Sequence, residues 1–333
     1  MLEVLEPGLL STVQDGGRPG LADQGVPRSG ACDPTGLAVA NLLLGNAPDA
    51  AALEMTLQGP ELKAVEEVVV GLGGADLGAT VDGERFPAGS SRLLQAGALV
   101  RLGAAESGTR GYLAMAGGID VPRVLGSAST CLAGGFGGLE GRALRGGDRL
   151  IPVLRGRATG AGRAWPSGGA AGVGPARERL RVLPGPHAAA FRPGSWEALL
   201  TSVWEVHPRS DRTGLRLAPA GRQEAPDEAE QGGRTEGIRL TAGATALPSQ
   251  PMTWGAVQVS ADDQLMVLLA DHQTIGGYPV LAVVISADRG ALGQLAPGRS
   301  VHFVPTSIEE AQKALRAQQA QLRRIGDQLA RGW

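Results

Sequence analysis

Lysine is almost missing from this 333-residue sequence, with Lys63 and Lys313 its only two examples. Neither follows a glycine loop, so a Walker-type phosphate cradle, which needs a lysine after its glycines, is excluded. Neither is flanked by the methionines of a biotin attachment site, so no covalent biotin is expected on this chain. Cysteine is equally scarce. Cys32 and Cys131 form no C-x-x-C pair, and the four histidines show no H-E-x-x-H spacing, which leaves no basis for a dedicated zinc site. No apolar run approaches the length of a membrane span. The N-terminal MLEVLEPGLL has acidic residues where a secretory signal would need basic ones, and the expectation is a cytoplasmic, reduced protein. A net charge of −2 and a pI near 6.1 give no basic field to attract nucleic acid. Small molecules and protein partners remain as ligands.

What is present is 43% hydrophobic residues over a length that suits about two domains. The densest polar stretch is STVQDGGRPGLADQGVPRSGACDP, Ser11 to Pro34. Its glycines and internal prolines exclude an uninterrupted helix or central strand and predict a shaped loop. Gln14, Asp15, Arg18, Asp23, Arg28, Ser29 and Asp33 on that loop suit a small polar or anionic ligand, and a solvated, turn-rich loop is the competing reading. Asp33 followed by Pro34 predicts a helix start, with Leu37, Ala40, Leu43 and Leu44 at helical spacing up to Gly45.

Short apolar runs then predict a β-domain: Leu2 to Leu5, Val68 to Leu72, Ala79 to Val81, Arg92 to Leu94, Leu99 to Leu102 and Tyr112 to Ala116. VVVGLGGADLG at Val68 to Gly78 invites a dinucleotide-binding reading. However, Asp76 takes the third glycine position and no helical pattern follows, so a glycine turn between strands is expected instead. Residues 155–178 read as a glycine-rich linker or surface loop between an N-terminal domain, 1–154, and a C-terminal domain, 179–306. The second half has strand candidates at Arg179 to Leu183, Arg239 to Thr241, Val257 to Val259, Leu265 to Leu269, Val280 to Ile285 and Val301 to Val304, with a short helix at Ser195 to Leu200. Ser307 with Glu310 matches a capping box and predicts a C-terminal helix over 307–333.

Two further polar clusters stand out. LLADHQTIGGYP, Leu268 to Pro279, ends an apolar strand with Asp271, His272, Gln273 and Thr274 before a Gly-Gly turn. It reads either as a ligand site or as a hairpin whose side chains satisfy turn amides. Ser210, Asp211, Arg212 and Thr213 place an arginine fork where it could grip a carboxylate or phosphate.

In order, TVQDGGRPG, GVPRSGACD, ALEMTLQGP, YLAMAGGIDVPRVLGSAST, SDRTGLRL and LLADHQTIGGYPV resemble the biotin-dependent carboxyltransferase-like, or allophanate hydrolase subunit 2, family. Members include the C subunit of bacterial 5-oxoprolinase and the carboxyltransferase domain of urea carboxylase, and a stand-alone chain of this length is more similar to the former. The resemblance implies a mainly β fold with two cyclophilin-like β-barrel domains, a few short helices and a C-terminal helix. It implies a subunit of an ATP-dependent 5-oxoprolinase that opens 5-oxoproline to glutamate, working with a kinase-inhibitor-like B subunit and a third, A subunit, with ATP and Mg²⁺ in the complex. Carboxyl transfer with a separate biotin carrier, or a non-catalytic regulatory role beside a kinase-inhibitor-like protein, are the alternatives.

Carried over by the same resemblance, Asp15, Arg18, Asp211, Arg212 and Asp271 are expected to be catalytic. Gln14, Ser29, Asp33, Asn41, Glu54, Ser210, Gln258, Thr274, Gly277 and Tyr278 are expected to bind substrate. The metal-binding residue is left open among Asp15, Asp211 and Asp271. The sequence departs from the family pattern at Cys32, where methionine is usual, and at Leu215, where tyrosine is usual.

Overall fold

The computed structural model describes residues 1–156, 160–165, 179–221, 237–241, 243–244 and 247–331. Most of the expected linker lies outside these. The chain divides into two compact units: Met1–Arg18, Ser29–Ala176 and Ala317–Trp333 form the first, and Pro19–Arg28 with Arg177–Arg316 form the second.

Unit 1 holds β1 (Leu2–Glu6), β2 (Leu10–Gln14), helix α1 (Pro34–Leu43), β3 (Ala52–Thr56), β4 (Glu61–Ala64), β5 (Val68–Asp76), β6 (Thr80–Val81), β7 (Glu84–Arg85), β8 (Ser91–Leu94), β9 (Leu99–Arg101), β10 (Ser107–Met115) and β11 (Arg149–Leu150). They pair as a six-stranded sheet, β11-β1-β4-β9-β6-β7, and a five-stranded sheet, β2-β3-β10-β5-β8. Alternation along the strands puts Leu2, Val4, Leu62 and Val100 from the first sheet in one apolar cluster with Val13, Leu53, Met55, Val70 and Leu113 from the second. Each such side chain, fully buried, contributes about 1.5–3 kcal/mol. Two short strands escape the hydrophobic pattern for a plain reason: β7 is two exposed polar residues, and β11 pairs an exposed arginine with a buried leucine.

The polar stretch is loop only in part. Ser11 to Gln14 lie in β2, an edge strand, with the two glycines and Pro19 following its end. Asp33 caps α1, its Oδ1 accepting from the Thr35 and Gly36 amides at 3.0 Å each, with Pro34 at the first helical position.

The glycines of VVVGLGGADLG are also placed differently from expectation. Gly71, Gly73 and Gly74 are strand rather than turn, since β5 runs through to Asp76, and Gly78 alone follows its end. A Cβ on Gly71 would lie 2.8 Å from the Ala40 carbonyl oxygen, and one on Gly73 would collide with the Gly36 carbonyl and lie 2.8 Å from the Ala40 amide nitrogen. Glycine there allows the backbone of α1 to settle directly on β5.

Unit 2 contains β12 (Arg179–Pro184), helix α2 (Ser195–Thr201), β13 (Trp204–Val206), β14 (Gly214–Pro219), β15 (Gln250–Pro251), β16 (Ala256–Val259), β17 (Leu265–Leu268), β18 (Ile275–Gly276), β19 (Val280–Val284), helix α3 (Arg289–Gly293) and β20 (Ser300–Pro305). The closed barrel runs β12-β19-β16-β17-β14-β13-β20, and the parallel pairing of β20 with β12 completes it. Closure removes exposed edges. The strand expected at Arg239 to Thr241 is, among the described residues, one isolated bridge, Phe191 to Leu240, flanked by hydrogen bonds from the Arg192 amide to the Arg239 carbonyl and from the Thr241 amide to the Ala190 carbonyl.

Helix α4 (Ile308–Arg331) starts at the expected capping box, where the Glu310 amide donates to Ser307 Oγ and the Ser307 amide to a Glu310 carboxylate oxygen, both at 3.1 Å. In unit 1 its Ile325 and Leu329 pack with Val39 and Leu43 of α1. Among the described residues no helix is long and apolar enough to cross a membrane.

The close seating of α1 carries a prediction. Gly73→Ala should lower stability by about 1–3 kcal/mol through overpacking against helix backbone that has no side chain to move aside. Chemical denaturation measures it, and a loss under ~0.5 kcal/mol would show that the helix can ride outward at little cost.

Candidate functional site

In unit 1 the expected residues form two buried networks. Asp15, at the end of β2, accepts four hydrogen bonds: at Oδ1 from the Gly17 amide (2.8 Å), Ser127 Oγ (2.6 Å) and Ser129 Oγ (2.5 Å), and at Oδ2 from the Ala128 amide (2.7 Å). This carboxylate is 3% exposed, and three of its four hydrogen bonds hold residues 127–129 to the strand. Arg18 belongs to the same knot. Its guanidinium stacks on Phe136, 4.9 Å from the ring centre, and donates to the Ser129 and Val124 carbonyls. Gln14 donates to Thr12 Oγ1 and the Thr130 carbonyl, and the Ser29 hydroxyl is fully buried.

The second network is built on sheet register. Tyr112 lies directly opposite Glu54 in the pairing of β10 with β3. Its hydroxyl donates to Glu54 Oε2 and accepts from the Asp33 amide, each at 2.8 Å, while Glu54 Oε2 also accepts from the Cys32 amide at 2.8 Å. Arg110 Nε lies 3.8 Å from Glu54 Oε1. Burial first, then the Glu54 and Asp33 carboxylates, push the Tyr112 phenol well above its ordinary value, so it keeps its proton and stays a donor. Asn41 stands apart from both networks, with its amide donating to the Ala50 carbonyl and its oxygen accepting from Asn46.

In unit 2, Arg212 and Asp271 meet although 59 residues separate them: Nε to Oδ2 is 2.8 Å and Nη2 to Oδ1 is 3.2 Å, a bidentate and nearly buried pair. The backbone repeats the link, since the Asp271 amide donates to the Arg212 carbonyl and the Leu269 amide to that of Thr213. Ser210 and Asp211 shape the approach. Asp211 Oδ1 accepts from the Thr213 and Gly214 amides, and Ser210 Oγ accepts from the Arg216 amide. Asp271 therefore serves a distant arginine rather than turn amides in its own hairpin.

Of the remaining expected residues, Gln258 is buried with its Nε2 3.6 Å from Met266 Sδ, Thr274 accepts from the Met252 amide through its carbonyl, Gly277 accepts likewise from Leu247, and Tyr278 is exposed.

His272 follows Asp271 directly. Its Nδ1 lies 2.7 Å from the Gln273 carbonyl oxygen; a carbonyl only accepts, so Nδ1 carries the proton and the neutral ring keeps its lone pair on Nε2. Burial is the main cause that lowers its pKa, with Arg289 and Arg28 adding to it against Gln273 and Asp271. The imidazole is neutral at pH 7. Arg289, which no sequence motif marks, is half-buried against the face of Trp254 at 5.1 Å.

The anchoring role of Asp15 is testable. Asp15→Asn exchanges an acceptor for a donor facing two hydroxyls and two amides, and should cost about 1–3 kcal/mol, read as a lower denaturation midpoint with unchanged slope. A variant as stable as the parent would mean that the 127–129 segment is held by something else.

Residues 24–305 match the family model described as carboxyltransferase domain, subdomain A and B. The chain is 38% identical to the 5-oxoprolinase C subunit of Escherichia coli (strain K12) over 321 residues, covering 96% of each, and 32% identical to the protein of that name from Haemophilus influenzae, covering 98% and 99%. It is also similar to the crystal structure of Kluyveromyces lactis urea carboxylase, with a TM-score of 0.83 and 29% identity, covering 97% of this chain but only 29% of that one. The buried Glu54–Tyr112 and Arg212–Asp271 pairings thus sit within a frame matched nearly end to end by its relatives, and this chain belongs to the carboxyltransferase domain, subdomain A and B, family.

Proposed function

We propose that this chain is the C subunit of an ATP-dependent 5-oxoprolinase, which opens the lactam ring of 5-oxoproline to glutamate. The observation that carries this reading is mutual coverage: the two 5-oxoprolinase relatives match over 96–99% of their own length, whereas the urea carboxylase extends far beyond the matched region. Ring opening breaks the lactam C–N bond, with water supplying hydroxyl to the carbonyl carbon and hydrogen to the nitrogen. An unstrained amide needs a better electrophile for this, and phosphorylation of its oxygen by ATP supplies one.

The described residues do not fit a nucleotide–Mg²⁺ site of their own. Asp15 already accepts four hydrogen bonds, Asp211 takes two turn amides at Oδ1 and Asp271 pairs with Arg212, and among the described residues no three His, Cys, Asp or Glu converge as metal ligands. In this reading phosphoryl transfer belongs to the kinase-inhibitor-like B subunit and the third, A subunit. The contribution of this chain is to bind and orient. In unit 2 the Arg212–Asp271 pair fixes the two loops from which His272 projects, and the neutral imidazole is able to take a proton from the attacking water at pH 7.

A second reading, carboxyl transfer with biotin supplied by a separate carrier protein, draws on the family description and on the likeness to urea carboxylase.

The chain should be purified alone and with the products of its neighbouring genes, and 5-oxoproline-dependent ATP hydrolysis and glutamate release measured in each mixture. Activity is expected only in the reconstituted complex. Turnover by the single chain would overturn the proposed division of labour, and an intact complex without turnover would favour carboxyl transfer. In the active complex, Arg212→Lys should lower turnover by about tenfold or more while the chain still folds, because lysine keeps the charge but cannot make the planar two-point contact with Asp271. Near wild-type turnover would remove the pair from the mechanism.

A further inference from the structure

In unit 2 a buried acid, Asp288, and a nearly buried one, Asp271, are each matched by an arginine, and among the described residues no acid matches Arg289. Asp271 is taken by Arg212. Asp288, adjacent in sequence to Arg289, is taken by Arg181, whose backbone amide, Nε and Nη2 all donate to it at 2.6–3.0 Å. Arg289 is left with no ion pair among the described residues. Its contacts are a 3.4 Å hydrogen bond from Nη2 to the Trp254 carbonyl and the stack on that tryptophan ring. Its Nε is buried without a hydrogen-bond partner, and so is the indole Nε1 of Trp254, itself only 5% exposed. Two buried N–H groups in one stacked pair, both donors only, call for an acceptor. A second cation stands close by: burial first, and then the charge of Arg28, bring the Arg289 pKa down to about 10. No carboxylate is among the causes that act on Arg289. At pH 7 the guanidinium is still charged.

We propose that Arg289, braced on Trp254 and joined by Arg28, forms an anion site that holds the carboxylate group of a small-molecule ligand beside His272. An anion there would supply acceptors for the two buried donors and relieve the repulsion between the two arginines. A planar carboxylate suits a guanidinium edge, with its two oxygens shared among Nε, the indole N–H and the second cation. That the carboxylate is the one carried by 5-oxoproline rests on the function proposed above. The anion site itself does not.

The test is calorimetric titration of the full chain with 5-oxoproline, with 2-pyrrolidinone, which is the same lactam without its carboxylate, with acetate and with inorganic phosphate. Binding of 5-oxoproline is expected, with 2-pyrrolidinone at least about tenfold weaker, and Arg289→Gln should weaken 5-oxoproline by about tenfold or more. Arg28→Gln, at an exposed side chain, should weaken it by a smaller factor, and circular dichroism checks both variants. The site is overturned if the folded Arg289→Gln and Arg28→Gln proteins bind carboxylates within twofold of the parent, if 2-pyrrolidinone binds as well as 5-oxoproline, or if the parent binds no carboxylate. Should Arg289→Gln not fold, Arg28→Gln decides. Phosphate bound through these arginines with no carboxylate binding also overturns the assignment. Acetate bound in an Arg289-dependent way without 5-oxoproline sustains the anion site and instead removes 5-oxoproline as its ligand.

Discussion

A carboxylate taken out of water has to be met by donors, and this requirement organises the molecule. Desolvating an ion costs several kcal/mol, recovered only when its oxygens are fully hydrogen-bonded. Asp15, Glu54, Asp271 and Asp288 are each buried or nearly so, and each is answered by a particular set of amides, hydroxyls or an arginine fork. The donors come from segments far away in sequence, so satisfying the charge also fixes the path of the loop that brings them. Residues 127–129 are held to β2 by Asp15, the entry to α1 is held to β3 by Glu54 through Tyr112, and the 211–214 turn is held to the end of β17 by Asp271.

The same requirement sorts structural polar residues from those able to do chemistry. A carboxylate that accepts four hydrogen bonds, three of them at one oxygen, is committed first to holding its neighbours, and Asp15 and Asp271 both anchor distant segments in this fold. Other polar groups keep hydrogen-bonding capacity in hand. In unit 2 these are the His272 imidazole, neutral with its Nε2 lone pair, and the Arg289–Trp254 stack with two buried N–H groups.

Glycine has a related part in unit 1. Because Gly71 and Gly73 carry no Cβ, the α1 backbone approaches β5 closely enough for Asp33 at its N-terminus to stay within reach of the Tyr112 hydroxyl. The helix dock and the buried network therefore support each other, and a methyl group on the strand would disturb both.

Local interactions were legible in the sequence. Asp33 and Pro34 mark the start of α1, Ser307 and Glu310 that of α4, and the apolar runs from Val68 and Val280 mark central strands, since capping atoms and side-chain alternation act within a few residues. The ordered motifs placed the chain in its family for the same reason, being short contiguous strings. Partners in space were not legible. The serine hydroxyl that meets Asp15 lies 112 residues along the chain, and Asp271 reaches Arg212 across 59. VVVGLGGADLG became strand rather than turn because a helix from another part of the chain needed its surface. By itself the sequence determined where elements begin, which faces are apolar and which phosphate-binding devices are missing. Only the tertiary structure decided which polar groups are spent and which are left to act, because a hydrogen bond is satisfied by whatever the register of distant strands brings within about 3 Å.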